Sequence, residues 1–228
     1  PITIKLTGGT DVKWAPTWDY FAHVFLPLIE KMGVCTDAQL IKRGYYPKGG
    51  GEAILTIHPV KKLQALQLEE KQVFSEINGV VHMANLPDHI TKRMKHAALK
   101  IAAKNSMQYS VQVHKTTSLS PGTGITLWSK THHTIMGSSF LGERGIRSEK
   151  IGENAAKQLL KEINSGATMD AYAIDQILPY MAMAKGESTC LVRELSKHTQ
   201  TNMWLLQQFF DVEFEVKKQQ DIIKIMVK

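Results

Sequence analysis

His198 sits where an extended, β-branched run, Thr189 to Val192, gives way to helical periodicity in Met203, Leu206, Gln207 and Phe210. Thr199 and Thr201 are both competent N-caps, so a helix is expected to begin at one of them, over Thr201 to Phe210. A helix N-terminus presents unpaired backbone N–H groups and partial positive charge, which attract phosphate. The same field disfavours imidazolium, so a histidine placed there tends to stay neutral with a lone pair free. Neutral imidazole beside bound phosphate is equipped to attack phosphorus. The competing reading is that His198, one of nine histidines, only helps to cap a helix.

Three further stretches carry chemical potential. A helix is expected from about Met169 to Met183, with Ile174, Ile177, Leu178 and Met181 on an apolar face. Tyr172, Asp175, Gln176 and Pro179 share another face at i, i+3, i+4 and i+7. Such a face can stack a base and bond its edge or its ribose, or it can simply face water. Arg43 to Gly51 is glycine-rich and carries Arg43 and Lys48, so its backbone N–H groups could cradle phosphate. It is not a Walker loop, and a hairpin turn explains it equally well. Arg144, beside Gly142 and Gly145, is a third candidate cation for phosphate or RNA, and Arg147 follows it. His132 and His133 lack the further ligands of a zinc site, and no metal-ligand spacing or Ser-His-Asp set stands out.

These residues hang on a repeated grammar. Ile2 to Leu6 alternates as a strand; Pro16 and Thr17 open a helix with Phe21, Val24, Phe25, Leu28 and Ile29 on its buried stripe; Gly33 ends it. Val34 to Ile41 and Ala53 to Ile57 complete a β-α-β-β unit. Thr189 to Val192, the His198 helix, Val212 to Val216 and Ile222 to Val227 repeat it. Between them lie a strand within Val73 to Ala84, a helix over Asp88 to Lys104, and a strand at Tyr109 to Val113. A strand pair at Ile125 to Trp128 and Thr134 to Phe140 follows, then a helix capped by Ser148 and ended by Gly166. The fold class expected is α+β, with 70–166 inserted as a small α/β domain between 1–69 and 167–228 of a larger one.

Composition is that of a globular chain: 228 residues, 43% apolar and 21% charged. No apolar run approaches the ~18 residues of a membrane span. Two cysteines without metal or disulfide spacing suit a reducing cytoplasm, or a nucleus in a eukaryote. A formal charge of +7 favours a polyanionic partner, but the basic residues are scattered with short clusters such as Lys92, Arg93 and Lys95.

The run His198-Thr199-Gln200-Thr201-Asn202 resembles the nucleophile motif of RNA 3′-terminal phosphate cyclases of the archaeal and eukaryotic type. Gly8-Gly9-Thr10-Asp11, Arg43 to Gly51, and Tyr172-Ala173-Ile174-Asp175-Gln176 fall in that family's order and spacing, so the resemblance covers essentially the whole chain. It implies a large domain of repeated β-α-β-β units with a small inserted α/β domain of thioredoxin-like topology. It also implies ATP-dependent conversion of RNA 3′-phosphate ends to 2′,3′-cyclic phosphates, with Mg2+ or Mn2+. His198 would carry AMP; Tyr172, Asp175 and Gln176 match the nucleotide-pocket helix; Pro16 and Tyr20 fall where the family packs adenine. Arg43 and the glycine run match a segment near the active site. Family members carry a further N-terminal repeat that supplies a glutamate for the metal, and this sequence begins after it. The expectation is therefore a fragment that adenylates poorly alone. The rival implication is a non-catalytic cyclase-like scaffold in ribosome assembly, a branch without the histidine; a plain RNA-binding module is the third.

Overall fold

A computed structural model describes residues 1–228. It opens with β1 (Ile2–Gly8) and one continuous helix, α1, running through Trp18–Tyr20, a π-helical stretch Phe21–Phe25, and Leu26–Lys31. Thr17 caps it by accepting from the Tyr20 backbone N–H at 3.3 Å, and Gly33 leaves it at φ +91°. Then come β2 (Cys35–Lys42), β3 (Gly51–His58) and the short β4 (Gln67–Leu68). The middle of the chain holds β5 (Glu76–Ala84), α2 (His89–Lys104), β6 (Gln108–Thr116), β7 (Gly122–Lys130), β8 (Ile135–Leu141) and α3 (Ser148–Ser165). The last part holds α4 (Ala171–Met183), β9 (Ser188–Val192), α5 (Lys197–Phe209), β10 (Phe214–Gln219) and β11 (Ile222–Val227).

The fold is mixed α/β with three sheets. The first has the order β1-β3-β2, antiparallel, with Ile2 opposite Ile57 and Gly8 opposite Gly51. The last has the order β10-β11-β9, extended by β4 parallel to β9. Stripped of β4, both terminal units are one β-α-β-β motif in which the third strand lies between the other two. The middle sheet has the order β6-β5-β7-β8, with β5 and β6 parallel and the rest antiparallel. Its central strand β5 is buried from Gly79's neighbours Val80 through Ala84, as a strand covered on both faces should be.

One face of that sheet is covered by α2 and α3, whose Met94, Ala98, Ile151, Ala155 and Leu159 pack with Ile77, Val81 and Ile125. The helices meet closely at Gly152, where a Cβ would lie 2.1 Å from the Met94 carbonyl oxygen. The opposite face meets the terminal units: Thr17 and Thr126 hydroxyls are 2.9 Å apart, and the rings of His23 and Trp128 stack at 4.2 Å. A second apolar core joins the two ends of the chain through Tyr20, Val24, Leu28, Ile174, Cys190 and Ile225. No helix is long and apolar enough to cross a membrane.

Candidate active site

The start of α5 is fixed by four polar side chains. Ser196, in extended conformation, is the N-cap and accepts from the Thr199 backbone N–H at 2.9 Å. Its hydroxyl donates to the Asp175 carboxylate at 2.9 Å, and the buried Thr199 hydroxyl donates to the same carboxylate. Asn202 reaches back to the Asp175 backbone carbonyl at 2.9 Å. The helix therefore begins at Lys197, not at Thr201 as the capping residues suggested, and Thr201 instead donates to the Lys197 carbonyl at 2.9 Å. Serine is the stronger cap, and Asp175 orients its hydroxyl. His198 thus lies inside the first turn, exposed, at the positive end of a 13-residue helix.

The facing helix supplies the rest. Asp170 caps α4, accepting from the backbone N–H groups of Tyr172 and Ala173, each at 3.0 Å. Tyr172 is 56% exposed, and Gln176 donates to its backbone carbonyl at 3.1 Å. Asp175 on α4 is thus tied to the first turn of α5, which carries His198, while Tyr172 and Gln176 lie on α4 beside Asp175 in sequence. Pro16 is exposed just ahead of α1. Tyr20, expected to pack a base, is 1% exposed, with its hydroxyl donating to Asp170 at 2.6 Å. Its ring instead meets Tyr172 edge-on at 6.4 Å, so it braces the exposed ring and offers no face of its own.

Arg43 is a second correction. It is 4% exposed and spans two buried carboxylates, Asp11 at 3.1 Å and Asp19 at 2.8 Å. A guanidinium so engaged is not open to phosphate. The glycine run is filled by its own backbone: Thr10 and Asp11 N–H groups donate to the Gly44 carbonyl, and a Cβ on Gly44 would fall 2.4 Å from the Gly8 oxygen. Lys48 is exposed at this turn, its backbone N–H held by the Ser120 hydroxyl at 3.1 Å. Arg144 is exposed on the loop before α3, where Glu143 pairs with Lys13 at 2.8 Å.

Residues 1–216 match the family described as RNA 3′-terminal phosphate cyclase. The chain belongs to that family. It is 39% identical over 226 residues to the RNA 3′-terminal phosphate cyclase of Methanosarcina barkeri, covering 99% of this chain and 66% of the relative. It is 38% identical over 229 residues to that of Nitrosospira multiformis, covering 100% of this chain and 65% of the relative. For the Pyrobaculum aerophilum protein the values are 37% over 216 residues, 94% and 62%. The chain thus spans just under two thirds of the length of these curated relatives.

For a member of the cyclase family, the divalent metal is the expectation these residues fit least. Asp11, Asp19 and His82 are the one set of three ligating side chains close enough to hold an ion. Arg43 already neutralises that set, and Asp175 on α4 is engaged by two hydroxyls of the α5 start. Residues the sequence reading passed over are Ser196 as cap and Asp170 as the acceptor under Tyr172. The signal for Asp170 was present: an aspartate immediately ahead of an apolar-periodic helix is a strong N-cap. Ser196 could not be told from Thr199 and Thr201, because its advantage comes from Asp175 on another helix.

Proposed function

We propose that this chain carries the adenylate-accepting histidine of an ATP-dependent RNA 3′-phosphate cyclase. The observation that carries the reading is His198, exposed in the first turn of α5, a turn that Asp175 of the Tyr172-Asp175-Gln176 helix holds through Ser196 and Thr199. An imidazole nitrogen of His198 attacks the α-phosphorus of ATP; the bond to the β-bridging oxygen breaks, pyrophosphate leaves, and the ring proton goes to solvent. A terminal RNA 3′-phosphate oxygen then attacks the same phosphorus and breaks the P–N bond, restoring imidazole. The neighbouring 2′-hydroxyl attacks the activated 3′-phosphorus and expels AMP, closing the 2′,3′-cyclic phosphate. Splitting the reaction gives the RNA phosphate a good leaving group.

The chain's own residues contribute placement. The α5 N-terminus offers free N–H groups to the phosphates. Asp175 holds that terminus through Ser196 and Thr199, and Tyr172, braced by Tyr20, presents a ring for a base. A divalent cation would screen the triphosphate, and no step here is routed through it.

The test is mass spectrometry after incubation with ATP and magnesium or manganese, on the chain alone and supplemented with the stretch of the Methanosarcina barkeri relative that this chain does not cover. One AMP is expected on the peptide containing His198, and none in His198→Ala. An adduct elsewhere, or none in either form, rejects the reading; the second result would favour the non-catalytic scaffold.

A further inference from the structure

On the side of the inserted sheet facing away from the terminal units, α2 and α3 flank a groove of about 730 Å³. Along α2 its wall is Lys92, His96, Lys100 and Lys104, one basic residue at every fourth position, all exposed. That spacing stacks them on a single line with a rise of about 6 Å from each to the next and about 18 Å in all. Six Lys and Arg side chains and two carboxylates line the groove. Both carboxylates are already engaged, Glu149 by Arg93 at 2.5 Å and Glu153 by Lys157 at 3.4 Å. Lys92, Lys100 and Lys104 have no acidic partner within 4.0 Å.

We infer that this groove binds the phosphodiester backbone of RNA upstream of the reacting end. The inference rests on RNA being the substrate, as proposed above. A protein partner would need an apolar anchor pocket, and only Ala97 and Ile101 are hydrophobic here. A line of unpaired cations suits a regularly charged strand, and 18 Å covers about five nucleotides at ~3.4 Å each. From the groove a run of exposed arginines leads to the entry of α1. Arg93 touches Glu149 at the start of α3, exposed Arg147 stands there, and Arg144 continues along the loop that Glu143 ties to Lys13. Lys13 lies three residues before Pro16, at the entry to α1.

The experiment uses a labelled single-stranded RNA ending in a 3′-hydroxyl, without ATP, so that nothing depends on His198. Affinity is followed by fluorescence anisotropy across a salt series. The variant Lys92→Gln/Lys100→Gln/Lys104→Gln should bind at least tenfold more weakly, with the slope of log affinity on log salt reduced by about two, at ~0.7 per lost phosphate contact. Glu149→Gln/Glu153→Gln, which frees Arg93 and Lys157, should bind several-fold more tightly and decides the matter if the triple variant fails to fold. An unchanged salt slope in both variants overturns the inference. So does a wild-type chain that ignores RNA and retains polyglutamate, which would assign the groove to an acidic protein. RNA bound through the groove without any His198 adduct would reject the cyclase reading and leave this one standing.

Discussion

Two imidazoles sit in unlike surroundings in this molecule. His198 is exposed at a helix start, whereas His82 is fully buried on β5 with its Nδ1 2.7 Å from the Tyr45 hydroxyl. Its Nε2 faces Asp11 at 3.5 Å and Asp19 at 3.9 Å, so the tautomer that fits keeps its proton there. Burial, and then the Arg43 guanidinium, push its pKa from 6.5 down to about 3. Below its ordinary value the unfolded chain takes up a proton at this residue and the folded chain does not. Stability therefore falls as pH drops from about 6.5 toward 3, by up to ~1.4 kcal/mol per pH unit. His82→Gln removes that proton, and denaturant unfolding at about pH 6, 5 and 4 should show a correspondingly shallower loss than wild type. Equal slopes would mean that His82 titrates normally. The same cluster marks what residue types alone cannot tell. Arg43 beside a glycine run reads as a phosphate contact, yet its partners Asp11 and Asp19 lie far enough away in sequence that no spacing rule pairs them.

Among the elements, the start of α5 depends on a residue of α4. Asp175 accepts both hydroxyls that shape the first turn, and Asn202 bonds its backbone carbonyl. Asp175→Ala leaves Ser196 and Thr199 without that acceptor, costing about 1–3 kcal/mol of stability. It also lets His198 drift, and misplacement of about 1 Å can cost ~100-fold in rate. Adduct formation in single turnover should slow by about 10–100-fold, and Asp175→Asn, which keeps one acceptor oxygen, should recover part of it. A wild-type rate in Asp175→Ala would show that the helix start positions itself. The repeat itself was legible, because alternating strands and an amphipathic helix recur at both ends. The strand order that makes the two units alike, β1-β3-β2 and β9-β11-β10, is a pairing outcome that no local pattern states. Helix starts were legible only to within a turn: α3 begins with Ser148 inside it and Arg147 as cap.

At the scale of the molecule, two apolar cores are joined by buried polar contacts. Asp170 is the centre of these. It accepts from the Tyr20 hydroxyl on α1, from the Gly137 N–H on β8 at 2.9 Å, and from two N–H groups of α4. Thr17 with Thr126, and Tyr45 with His82, add further links between the middle sheet and the terminal units. Each of these buried hydrogen bonds adds about 0.5–1.5 kcal/mol, net of water, to holding the seam closed. The cores are therefore expected to melt together, with calorimetric and van't Hoff enthalpies equal. Asp170→Ala leaves four donors without an acceptor while removing little apolar contact. It should cost about 3–5 kcal/mol and spread its effect unequally, since the core around the middle sheet keeps its own helices and sheet. The expected scan shows a lowered first transition and a calorimetric enthalpy that exceeds the van't Hoff value. A single sharp transition near the wild-type temperature would place the coupling in apolar contacts such as His23 against Trp128 instead of in the Asp170 node.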